Sequence, residues 1–286
     1  MNNFITRALT GALFVAVLVG GMIYTPMSFC VLFLAISMLG TMEFCKLMNK
    51  QDGVQVNTLI ASMSSGLLFL AFFTFCTGVA NGVIFMPYLA SIIYVLVAEL
   101  YLKHDNPIVN WAYVMMSQLY VALPFALLNL AAFSTGMTSR FWLFPLSIFV
   151  FIWANDTGAY CFGSLLHNIF PAKLFPRISP KKSWVGSIGG GLLTMAIGAL
   201  IWSLTKEVEA ESVCTTLSLP EWLGLALVVV IFGTWGDLVE SLIKRTLGIK
   251  DSGNFLPGHG GLLDRFDSSL LAIPATVIYL FTLTMI

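Results

Sequence analysis

The stretch from Ser241 to Asp267, SLIKRTLGIKDSGNFLPGHGGLLDRFD, gathers Lys244, Arg245, Lys250, Asp251, His259, Asp264, Arg265 and Asp267, with Asp237 and Glu240 just upstream. Charged residues are only 10% of the chain, so this clustering is not background. Charges in or beside a membrane are costly and are kept where chemistry or transport needs them. The mixture has a specific use. Carboxylates hold Mg²⁺, and Lys and Arg take up phosphate oxygens, so the set suits a metal-bound polyphosphate.

Spacing sharpens this reading. Asp237, Ser241, Lys244, Arg245 and Gly248 recur at i, i+4, i+7, i+8 and i+11 and therefore share one helical stripe, with Glu240 near it. A structural Asp–Lys or Asp–Arg pair is the plain alternative. Pro257-Gly258-His259-Gly260-Gly261 follows, and glycines let backbone N–H groups approach an anion; a tight turn explains the same residues. His259 could donate to phosphate, carry a proton or simply turn the chain. Asp264, Asp267 and Ser268 then share a face at the start of the last apolar run, where carboxylates also serve as caps. Upstream, Lys181 and Lys182 precede Gly186 and Gly189-Gly190-Gly191. Two ammonium groups before a helix N-terminus suit a polyphosphate, although a basic flank of a membrane helix looks similar. Gly186 and Gly190 also form a small-xxx-small pair, for which close helix packing is a sufficient reason. Asn155-Asp156-Thr157-Gly158 places an acid inside an apolar run, a site for a cation, a substrate path or a proton.

These residues need elements to hold them, and composition says which. The chain has 286 residues, 58% hydrophobic, with zero formal net charge and a mean hydropathy of +0.90. That indicates an all-α polytopic membrane protein, and bulk charge does not point to nucleic acid. Cys30, Cys45, Cys76, Cys161 and Cys214 sit mostly in apolar runs and read as small core residues. Met1–Thr25 reads as a retained first helix with no cleavable signal. Apolar runs of about 20 residues predict nine spans, at about 8–24, 28–47, 58–77, 81–102, 109–133, 142–163, 185–205, 222–243 and 265–285, with a kink at Pro124. With that count, Arg7, Lys46, Lys50, Lys103, Lys173, Arg177, Lys181, Lys182, Lys244, Arg245, Lys250 and Arg265 fall on one side, and only Arg140 and Lys206 on the other. The positive-inside rule then puts the N-terminus in the cytoplasm and the C-terminus outside. Both long polar connections, about 164–184 and 244–264, face the cytoplasm, where soluble nucleotides are. No boundary, repeat or low-complexity segment is visible. The expectation is one integral membrane domain over 1–286. Its N-terminal half is a lipid-embedded scaffold, and about 142–286 carries the active site.

In this order the pieces resemble the phosphatidate cytidylyltransferase (CDP-diacylglycerol synthase) family. The resemblance is carried by S-x-hydrophobic-K-R at Ser241–Arg245, K-D-x-G at Lys250–Gly253, P-G-H-G-G at Pro257–Gly261 and D-R-hydrophobic-D at Asp264–Asp267. Asn155–Tyr160 and Ser179–Trp184 agree with it, while Val185 stands where the family often has glutamate. It covers the C-terminal half well; the N-terminal half matches only in being hydrophobic. The resemblance implies Mg²⁺-dependent transfer of a cytidylyl group from CTP to phosphatidate, giving CDP-diacylglycerol and pyrophosphate, with a second cation left open. It implies metal at Asp237 and Asp264 with Asp267 nearby, and catalytic phosphate contacts from Lys244, Arg245, Lys250 and Arg265. It also implies substrate contacts at Asp156, Ser179, Lys181, Lys182, Ser241, His259, Gly260 and Gly261. A homodimer in a bacterial cytoplasmic (inner) membrane is implied as well. Two other readings remain. A CTP-dependent polyprenol or dolichol-type lipid kinase would need a base for its uncharged acceptor. An ion or solute transporter could use Asp156, Asp237 and Glu240, but transporters often show two related halves, and no such symmetry is visible here.

Overall fold

The computed structural model describes residues 3–134, 140–205, 217–253 and 260–284. Among these residues the regular structure is helical apart from one small hairpin. The chain divides into two compact units that interleave along the sequence: Met1–Ser134 with Leu247–Phe266, and Thr135–Thr246 with Asp267–Ile286.

The first unit contains α1 (Asn3–Ile23), α2 (Pro26–Met48), α3 (Thr58–Cys76), α4 (Met86–Leu102), α5 (Pro107–Ser117), α6 (Leu123–Phe133) and the short α10 (Leu263–Phe266). The break before α2 is a capping box. Thr25 Oγ1 accepts the Ser28 N–H at 3.0 Å, Ser28 Oγ accepts the Thr25 N–H at 2.9 Å, and Pro26 occupies the first turn. Phe29, Phe33, Phe69 and Phe125 are buried to 1% exposure or less. Phe266 of α10 joins them, edge-on to Phe125 with ring centroids 5.3 Å apart. Burial of a ring that size is worth about 1.5–3 kcal/mol, enough to anchor a one-turn helix that could not stand alone. Polar side chains link α2 to α3 directly. Ser62 Oγ donates to the Met38 carbonyl at 2.9 Å, and Ser65 Oγ to the Ser37 carbonyl at 3.4 Å. The kink expected at Pro124 takes the form of a π-helical turn, Gln118–Ala122, between α5 and α6. Proline lacks an N–H and crowds the carbonyl four residues back, so the ladder widens just ahead of it.

The second unit contains α7 (Leu143–Leu166), β1 (Lys173–Phe175), β2 (Ser179–Ser183), α8 (Trp184–Thr205), α9 (Leu219–Thr246) and α11 (Ser269–Thr284). α7 and α8 meet through glycine. A Cβ on Gly190 would lie 2.5 Å from the Asn155 carbonyl, and one on Gly186 would lie 2.8 Å from the Ala159 carbonyl. The small-xxx-small pair therefore works as a packing device, as its spacing allowed. Trp222 of α9 is 1% exposed and packs on Phe144 of α7 at 5.7 Å. The hairpin is antiparallel, with Lys173 opposite Ser183 and Phe175 opposite Ser179. It was not expected from sequence: four cations and two prolines in eleven residues carry no strand alternation.

Among the described residues, seven helical stretches are long and apolar enough to cross a membrane: Pro26–Met48, Thr58–Cys76, Gly82–Leu102, Pro107–Phe133, Trp184–Thr205, Leu219–Thr246 and Leu263–Leu283. That is the pattern of a multi-pass membrane protein. The other two expected spans are α1 and α7. The apolar part of α1 in this set is the shorter Leu9–Ile23. α7 is long enough at 24 residues, but Asn155 and Asp156 dilute its second half.

Candidate active site

In the second unit the last turns of α7 turn polar on one face: Asn155 and Asp156, then Tyr160, Ser164 and His167. Opposite them stand Lys173 of β1, Lys181 and Lys182 of β2, and the first turn of α8. Together with Thr234 of α9 they enclose a cavity of about 470 Å³. That is the size of a small-ligand site, with an unusual number of ammonium groups for its volume. Ser183 caps α8, its Oγ accepting the Gly186 N–H at 3.2 Å, so β2 runs directly into a helix N-terminus. Lys181 and Lys182 thus do precede the glycine-bearing helix, as expected, but they stand on a strand.

The back of this region is acidic. Lys182 Nζ sits 2.6 Å from Asp237 Oδ2, and Ser241 Oγ donates to Asp237 Oδ1 at 3.1 Å. The Asp237–Ser241 bond bears out their shared face on α9. Lys244 pairs with buried Glu240 at 2.5 Å; Arg245 is exposed, and Gly248 lies beyond the helix end. α9 approaches the start of the last helix at Gly236, where a Cβ would come within 2.6 Å of the Asp267 carbonyl. Asp267 Oδ1 accepts the Ser268 N–H at 2.6 Å, a cap-like bond ahead of α11. Asp156, Asp237 and Asp267 are close enough for their charges to act on one another, and Lys182 acts on Asp156. Hard carboxylate oxygens beside ammonium groups suit a divalent cation carrying phosphates. The Asn155 side-chain oxygen, buried with no hydrogen-bond partner among the described residues, adds a neutral acceptor. Among the described residues, no three Asp, Glu, His or Cys side chains are drawn tightly enough together to make a preformed metal centre.

The first unit holds the other half of the motif. Asp264 Oδ2 accepts the N–H groups of Ser252 at 2.9 Å and Gly261 at 2.7 Å. Gly260 has φ +85°, and a side chain there would press on the same oxygen. The Gly261 N–H, expected to face a ligand anion, serves the chain's own carboxylate. Lys250 and Arg265 flank this turn and are exposed. Ser179, at the start of β2, is half-buried and does not line the cavity. His259 lies outside the described residues.

Some site residues escaped the sequence reading. Lys173 was counted only as a basic flank, Tyr160 stood only as the end of the Asn155–Tyr160 block with no role, and His167 was not singled out, although Tyr160 and His167 follow Asp156 at helical spacing. Glu43 on α2 was missed altogether. Its carboxylate accepts Ser252 Oγ at 2.5 Å and the Leu262 N–H at 2.8 Å.

A sequence model of the cytidylyltransferase family matches residues 5–283. The chain is similar to proteins named phosphatidate cytidylyltransferase from several staphylococci. It is 36% identical to that of Staphylococcus aureus (strain COL) over 173 residues, 60% of each chain. It is 37% identical to that of Staphylococcus haemolyticus over 174 residues, and 38% to that of Staphylococcus epidermidis over 174 residues, again 60% of each chain. The chain thus spans about 60% of the length of the curated relatives it matches.

Proposed function

The chain belongs to the cytidylyltransferase family, and we propose that it transfers the cytidylyl group of CTP to phosphatidate, giving CDP-diacylglycerol and pyrophosphate. The observation that carries this reading is the cavity lined by Lys173, Lys181 and Lys182, with Lys182 on Asp237 at 2.6 Å. A phosphate oxygen of phosphatidate bonds to the α-phosphorus of CTP; the bond from that phosphorus to the bridging oxygen breaks, and pyrophosphate leaves. The attacking oxygen is already ionised near neutral pH, so a strong base is not the requirement. The barrier lies in bringing anions together. Two like charges about 4 Å apart repel by about 4 kcal/mol near a protein surface, or about three orders of magnitude in rate. Fixed cations offset that repulsion and hold charge on the departing group.

Lys173, Lys181 and Lys182 would bind the triphosphate, and Tyr160 and Asn155 offer polar contacts to the rest of the nucleotide. Lys244, Arg245, Lys250 and Arg265 are proposed for phosphate groups of lipid or nucleotide. Mg²⁺ is the proposed cation, with Asp237 its first carboxylate and Asp264 and Asp267 the further candidates; bound there it would neutralise phosphate charge. We also propose nine spans with a cytoplasmic N-terminus and an outside C-terminus, a bacterial cytoplasmic membrane, and a homodimer. Incubating purified protein with CTP and phosphatidate in detergent tests the reading. CDP-diacylglycerol with one pyrophosphate per turnover supports it; a phosphorylated lipid with free CDP refutes it.

A further inference from the structure

We propose that Glu43 is a positioning residue for the two backbone segments of the first unit that carry Lys250 and Arg265. The proposal rests on the reading above that these two cations meet substrate phosphates. Glu43 lies on α2, 209 positions before Ser252 in sequence. Its Oε1 accepts Ser252 Oγ at 2.5 Å and the Leu263 N–H at 3.2 Å, and its Oε2 accepts the Leu262 N–H at 2.8 Å. Three donors converge on one carboxylate, and each such bond to a charged acceptor is stronger than its neutral equivalent. Ser252 ties this knot to a second one, because its own N–H goes to Asp264. The backbone is shaped to admit the carboxylate. A Cβ on Gly253 would stand 3.1 Å from Glu43 Cδ, and one on Gly261 would collide with Glu43 Oε1 and Ser252 Oγ. Packing alone does not call for this arrangement: a charge at a membrane edge is costly, and the buried Leu262 and Leu263 could anchor the turn by themselves. The carboxylate instead fixes the backbone on both sides, between Lys250 and Arg265, and thereby where each cation starts.

Glu43→Gln keeps the size and turns one acceptor into a donor facing a donor. Two readouts decide. Hydrogen exchange at the Leu262 and Leu263 amides should speed up at least tenfold in the variant; unchanged exchange overturns the proposal. In CTP:phosphatidate turnover, Glu43→Gln should lower kcat/KM at least tenfold. In a Lys250→Gln, Arg265→Lys background it should cost less than a further twofold, because all three changes act through the same two cations. Losses that multiply, as general destabilisation predicts, overturn it. If Glu43→Gln does not fold, Ser252→Ala removes only the hydroxyl and repeats both tests with a loss of about threefold. If the wild type itself makes no CDP-diacylglycerol, the functional reading has failed, and the exchange experiment alone decides the role of Glu43.

Discussion

Asp237 is the residue on which most of the proposed chemistry turns: both its oxygens are held, one by Lys182 and one by Ser241. Asp237→Asn should abolish turnover while leaving elution and melting of the purified protein unchanged; a variant that still turns over at a tenth of the wild-type rate or better would remove Asp237 from the mechanism. Lys182 makes the sharper test. Losing one charge-assisted phosphate contact costs about 1.5–3 kcal/mol. Lys182→Ala should therefore raise the KM for CTP about tenfold or more. If neither KM nor kcat moves and only membrane insertion suffers, the lysine is a basic flank. Residues such as Asp156, Asp237 and Lys182 were legible in sequence because a charge in so apolar a chain stands out. Lys173 was not, because the same positive-inside logic that oriented the chain also explained it away. Glu43 carried the same signal as Asp156, an acid in an apolar helix, but its partners lie more than two hundred positions downstream and no local spacing reveals them.

At the scale of elements, helix α9 was readable down to its polar stripe, whereas the contacts of its flanks were not. Gly236 shows why. In sequence it is one glycine among many; in the fold it lets α9 lie on the backbone of Asp267 and Ser268. Gly236→Ala places a methyl 2.6 Å from the Asp267 carbonyl, so it should destabilise the protein by about 1–3 kcal/mol and depress turnover. Thermal unfolding in detergent measures this, and a variant as stable as wild type would mean that α9 does not pack as closely as described. The hairpin Lys173–Ser183 was invisible to pattern reading because its strands are set by a buried Ile178 and by the helix that follows, not by alternation. The π turn was half legible: Pro124 located the disturbance, but only the backbone shows that it takes the form of a π-helical turn over Gln118–Ala122.

At the scale of the whole molecule, the interleaving of two units was beyond the sequence. Residues 247–266 return to the first unit and 267–286 to the second, and this return depends on contacts such as Phe266 on Phe125 that no periodicity encodes. The expected spans and helices agree well in position, because some 20 apolar residues leave few alternatives. Orientation is testable directly. In a background free of native cysteines, an impermeant thiol reagent added outside should miss Ser183→Cys and Ser252→Cys and reach Thr215→Cys, a position outside the described residues. The reverse pattern would overturn the charge argument.

The proposed reaction is defined by which phosphorus of CTP reaches the lipid, and one labelling experiment reads that out. Purified protein is given phosphatidate, Mg²⁺ and CTP labelled at either the α- or the γ-phosphorus, and the lipid and aqueous products are separated. Transfer to phosphatidate predicts α-label in the lipid fraction as CDP-diacylglycerol, γ-label in water as pyrophosphate, and no turnover once Asp237 is replaced by Asn. Label from the γ-position in the lipid, or no lipid label from either, would contradict the account.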